Sequence, residues 1–89
     1  MPGRLESEKF VRENLEEIVL SMLREQPMCG YDLIKIIYQR HDVVVSQGRV
    51  YPLLYSLEER GVLRCELKSG TRTKVYSVKE KIEGTGAAP

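Results

Sequence analysis

Ser46, Gln47 and Arg49 stand together just ahead of a strongly amphipathic stretch, and Tyr51 and Tyr55 follow at positions off its apolar stripe. These residue types suit one kind of chemistry. Arg makes bidentate hydrogen bonds to guanine edges and Gln to adenine edges. Ser and Tyr hydroxyls and a helix N-terminus suit phosphate oxygens. A second group, Lys68, Arg72 and Lys74, flanks a glycine-containing turn. Cations at a hairpin tip beside such a helix would meet a nucleic-acid backbone. The plainer readings are a solvated basic tip, and a Tyr51 packed at the core edge with only its hydroxyl wet.

Other chemistries find less support. No Gly-rich phosphate loop, nucleophile motif or paired metal ligands occur, so catalysis is not expected. His41, Asp32 and Asp42 have no spacing that requires a site. One histidine and the distant Cys29 and Cys65 do not make a zinc site, and no cofactor is expected. The thiols read as small core residues kept reduced in a cytoplasmic chain. The N-terminus lacks the apolar core of a signal peptide and no run approaches a membrane span, so no membrane partner is expected.

The charge is uneven. The net value is only +1. Residues 1–25 carry four basic and six acidic side chains, residues 26–61 four of each, and residues 62–89 six basic and three acidic. Positive charge therefore gathers around the predicted hairpin.

The elements that must position these groups follow from periodicity. Val11, Leu15, Ile18, Val19 and Met22 predict a helix over residues 8–25, ended by Gln26-Pro27. Leu20 and Leu23 lie partly off its stripe, which leaves a second apolar side for the domain itself or for a partner subunit. A second helix runs from Gly30 to about Arg40, with Leu33, Ile34, Ile37 and Tyr38 as its core face. Val43-Val44-Val45 reads as an edge strand. Val50, Leu53, Leu54 and Leu57 mark a third helix from about Ser46, its N-cap, to Arg60, with Gly61 as a left-handed cap. Pro52 has no N–H for the carbonyl of Gly48, so either the regular helix starts near Gly48 or its first turn is distorted. Leu63, Cys65 and Leu67 alternate with Arg64, Glu66 and Lys68 in a half-buried strand, Ser69-Gly70-Thr71 turns the chain, and Arg72 to Val78 returns with Tyr76 and Val78 facing in.

Three helices and a β-hairpin wing make an α+β winged helix-turn-helix domain over residues 8–83, followed by a tail at 84–89 expected to be disordered. Its third helix would lie in the major groove of double-stranded DNA and its wing on the backbone. A winged helix also serves as a protein-docking module, the alternative reading. Charge-removing substitutions at Arg49, Arg72 and Lys74 separate the two.

Four segments resemble the PadR family of winged-helix transcriptional regulators. They are Leu20–Leu23 leading into Pro27-Met28-Cys29-Gly30-Tyr31-Asp32, Ser46-Gln47-Gly48-Arg49-Val50-Tyr51-Pro52-Leu53-Leu54, Leu57–Leu63, and Arg72–Val78. The Tyr51-Pro52 pair matches the family's recognition-helix motif. The resemblance implies a DNA-binding regulator and tilts toward repression. Family members continue into C-terminal helices that build a dimer, whereas here only residues 78–84 follow the wing. The expected homodimer would therefore use the helix at 8–25.

Overall fold

The computed structural model describes residues 3–79. The tail at 84–89 lies outside them. Four helices and a hairpin follow in order: α1 (Arg4–Glu13), α2 (Leu15–Glu25), α3 (Gly30–His41), α4 (Gln47–Glu59), β1 (Leu63–Leu67) and β2 (Lys74–Val78). The architecture is α+β.

The single helix predicted over 8–25 is two. The chain bends at Asn14, whose φ of −120° and ψ of 21° are not helical. Its side-chain amide donates to the Phe10 carbonyl at 2.8 Å, where the backbone N–H also bonds. A short amide competing for backbone acceptors is a known way to end a helix. The off-stripe Leu20 and Leu23 are 7% and 2% exposed, covered by their own domain, so they leave no second apolar side. The exposed large apolar groups of the first two helices are instead Leu5 and Phe10, both on α1.

Helix α3 buries Leu33 and Ile37 completely, but Tyr38 is half exposed and does not join the core as predicted. Val43 and Val45 are buried and Val44 is exposed. The run alternates as extended chain does, yet it forms no strand. The second edge of β2 is taken elsewhere: Met28 and Tyr76 exchange both backbone hydrogen bonds, at 3.1 and 3.0 Å. The segment before α3 thereby ties the wing to the helical layer.

Helix α4 packs on α3 and β1 through Val50, Leu54 and Leu57, all fully buried. It begins at Gln47 and runs unbroken through Pro52. Gly48, whose carbonyl loses its helical partner, is exposed to solvent. The end of α4 is a Schellman motif. Val62 N–H donates to the Leu57 carbonyl at 2.9 Å and Gly61 N–H to Glu58 at 3.0 Å, with Gly61 at φ 80°.

The hairpin pairs Leu63 with Val78 through Leu67 with Lys74. Burial fades along it: Leu63 and Tyr76 are buried, Cys65 and Val78 half-buried, and Leu67 is 64% exposed. The alternation placed Leu67 inward; the core ends before it does. Both cysteines are free and half-buried rather than true core residues.

Candidate nucleic-acid interface

Ser46 occupies the N-cap of α4 with an extended backbone, but its hydroxyl makes no capping bond. Its carbonyl accepts from both Arg49 and Val50, each at 3.1 Å. The hydroxyl is left exposed, as are the side chains of Gln47 and Arg49. Gln47, Tyr51 and Tyr55 follow at four-residue steps and so share one face of the helix. The Tyr51 and Tyr55 rings lie 6.3 Å apart at a 40° tilt.

Tyr51 is half-buried, and Gly30 explains how. A Cβ at Gly30 would stand 2.6 Å from a Tyr51 ring carbon, so the glycine makes room for the ring at the start of α3. The other side of this aromatic pair faces the wing. The ammonium of Lys74, the first residue of β2 after the turn, sits 5.4 Å from the centre of the Tyr55 ring, within the range of a cation–π contact. Wing and α4 therefore touch through predicted site residues.

The turn that precedes Lys74 is held by its own bonds. Lys68 N–H donates to Thr73 at 2.8 Å, and the Thr71 hydroxyl donates to the Lys68 carbonyl at 3.1 Å. Gly70 there has a φ of 76°. Lys68 and Arg72 are exposed. Among the described residues the ion pairs are Arg40–Glu25 and Arg60–Glu16. Arg49, Lys68, Arg72 and Lys74 are in neither, so no carboxylate of the described residues neutralises them.

The eight predicted residues fall into groups. Tyr51, Tyr55, Arg72 and Lys74 come together where wing meets helix. Ser46, Gln47 and Arg49 form the exposed head of α4, and Ser46 and Arg49 border a cavity of about 290 Å³ shared with Glu8 and Arg12 of α1. Lys68 stands apart on the turn. Sequence reasoning missed Cys29 and Tyr31, which line a cleft of about 350 Å³ with Tyr51, Arg72, Thr73 and Lys74. It also missed Lys35, whose ammonium is 5.7 Å from the Tyr31 ring centre. The four-residue spacing of Tyr31 and Lys35 was the available signal.

The profile of the Transcriptional regulator PadR-like family matches residues 19–82. The chain belongs to this PadR-like family. Solved structures agree. A transcriptional regulator from Clostridium thermocellum is 26% identical, with a TM-score of 0.73 over 80% of this chain and 71% of that one. A PadR family transcriptional regulator from Eggerthella lenta is 32% identical, with a TM-score of 0.70 over 82% of this chain and 65% of that one. No protein of curated function matches. The PadR-like chain thus has the winged-helix fold of transcriptional regulators, and these relatives are regulators rather than enzymes. No helix among the described residues is long and apolar enough to cross a membrane.

Proposed function

We propose that this PadR-like chain is a sequence-specific regulator of transcription that binds double-stranded DNA, with α4 in the major groove and the wing on the backbone. The observation that carries this reading is the convergence of Tyr51, Tyr55, Arg72 and Lys74 next to the exposed head of α4, the two cations being in no ion pair among the described residues. Gln47 and Arg49 would read base edges; Ser46, Tyr51, Tyr55, Lys68, Arg72 and Lys74 would hold phosphates. Repression is the direction implied by the resemblance. The chain would act in the cytoplasm as a homodimer through α1, reading two half-sites about 34–36 Å apart.

The test is anisotropy of labelled duplex carrying the region upstream of the chain's own coding sequence, titrated at several salt concentrations. Binding should exceed that of scrambled duplex and weaken with salt at a log–log slope of about −0.9 per phosphate contact. Arg49→Gln should relax sequence preference, costing about 1–3 kcal/mol on the preferred duplex. Absence of binding at low salt would overturn the reading in favour of a protein-docking module.

A further inference from the structure

The cleft between the wing and the start of α3 has a composition that points to its occupant. Of the residues lining it, two are cations, Arg72 and Lys74, and two are tyrosines, Tyr31 and Tyr51. Neither cation belongs to an ion pair among the described residues. Tyr31 is 59% exposed, and Lys35 extends the positive charge along its outer side. On the inner side Tyr51 and Tyr55 lead to Lys74. Lys35 and Lys74 therefore flank a row of three tyrosines that runs from α3 across the face of α4 to the wing, with Arg72 beside it in the cleft.

We infer that this cleft seats the sugar–phosphate backbone of one DNA strand, next to the stretch that α4 reads. The inference rests on the DNA-binding reading and names a site within it. Arg72 and Lys74 hold a phosphate, and Tyr31 packs its ring on the neighbouring deoxyribose while its hydroxyl reaches a phosphate oxygen. An acidic peptide would satisfy the cations too. The rings favour the nucleic acid, because successive sugars present apolar surface between regularly spaced anions. Position favours it as well: Tyr51 belongs both to the cleft and to the exposed face of α4, so a strand leaving that face enters the cleft. The wing and α3 would then grip the same strand, and Tyr31 is a binding residue.

The experiment uses the full chain and duplexes in which single phosphates flanking the bound segment are replaced, one at a time, by uncharged methylphosphonate. For the unsubstituted chain, one or two adjacent replacements should weaken binding about tenfold, as expected for a lost charge-assisted contact. Arg72→Gln should weaken binding of the native duplex similarly, lower the salt slope by about 0.9, and shrink the effect of replacing that phosphate to the share held by Lys74. Tyr31→Ala should weaken binding with its salt slope kept, and Tyr31→Phe should restore the part due to the ring. The side chain is mostly exposed, so neither change opens the core. In a Cys65→Ser background, saturating DNA should slow alkylation of Cys29 by iodoacetamide. Equal affinity of Tyr31→Ala, with phosphate replacement felt as strongly by Arg72→Gln as by the parent chain and Cys29 alkylated at an unchanged rate in the complex, would overturn the cleft while leaving the DNA reading standing. Competition by polyglutamate as effective as that by duplex would assign the cleft to acidic peptides instead. If the chain binds no duplex at low salt, the DNA reading and the cleft fail together.

Discussion

Gly30 and Tyr76 each carry a consequence that their residue type alone does not suggest. Gly30 stands where any Cβ would press on the Tyr51 ring. Gly30→Ala gains helix propensity of up to about 1 kcal/mol and must displace a half-buried ring, so the two effects on stability oppose each other. The expected outcome is a midpoint of thermal unfolding close to that of the parent chain and a clear loss of DNA affinity, because Tyr51 leaves the face shared with Gln47 and Tyr55. Tyr76 is the second. It is a fully buried residue of the wing strand β2, and its hydroxyl has no hydrogen-bond partner among the described residues. Burial, then the neighbouring Cys65, Tyr55 and Glu58, raise its pKa above the ordinary value near 10. The folded state thus holds this proton more tightly than the unfolded chain does. The contribution is intact below pH 10 and is lost above it, by about 1.4 kcal/mol per pH unit until the folded form also ionises. Urea unfolding measured between pH 8 and 11.5 should show that fall. Tyr76→Phe should remove its share of it, and at pH 8 should be neutral or slightly stabilising, since a buried unsatisfied hydroxyl costs about 1–3 kcal/mol. A steeper alkaline loss in the Phe variant would contradict the assignment. None of this was visible in the sequence, where Tyr76 read only as an inward position of a strand. The missing partner of its hydroxyl is a property of the packed wing.

The elements were legible wherever local signals and tertiary packing agreed. The stripe of Val50, Leu54 and Leu57 and the glycine behind it defined α4 to within a residue at each end, and the alternation from Leu63 onward defined the hairpin. Where they disagreed, tertiary context prevailed. Asn14 offered its own amide to the Phe10 carbonyl and divided one periodic pattern into two helices. The valines at 43–45 have strand composition, but Met28 had taken the edge of β2. A pairing between residues so far apart has no periodic signature. Within the site, the predicted groups on α4 and the wing were found from residue type and alternation. Tyr31 was missed because it reaches the cleft only through the way α3 packs on α4, and Lys35 because it stands against Tyr31 rather than against a residue of α4 or the wing. At this scale Gly61 gives the sharpest prediction. Its φ of 80° closes the Schellman motif that turns α4 into β1. Gly61→Ala should cost about 1–2 kcal/mol, the penalty of an L-residue in the left-handed region. It should appear as a lower urea midpoint with an unchanged m-value. Because nothing lies within 4 Å of a Cβ there, the loss is conformational, and Gly61→Asn should recover part of it.

For the whole molecule the question is what completes a small core. A domain of this size buries only about 60% of the surface of its unfolded chain, and most of what this one hides lies in α2, α3, α4 and the wing. Helix α1 contributes Val11 but leaves Leu5 and Phe10 exposed at 80% and 52%. The Phe10 ring rests near His41, 6.0 Å between centres, beside a hollow of about 450 Å³ that it shares with Glu6, Ser7 and His41. The proposed homodimer would cover this surface, since α1 has the larger unmet apolar demand and a two-fold pairing lets each Phe10 fill the other subunit's hollow. Phe10→Asp should then convert a dimeric mass, read by sedimentation at high micromolar concentration, to a monomeric one. Its thermal midpoint at low concentration should move little, because half of that ring is already in water. On DNA the variant should bind a single half-site like the parent and lose the added affinity for two half-sites set one helical turn apart. A parent chain that sediments as a monomer at that concentration, and binds paired half-sites no better than single ones, would remove the dimer and leave α4 and the wing to supply affinity alone. The roughly 600–1,000 Å² that one small module buries on DNA would then predict weak selectivity.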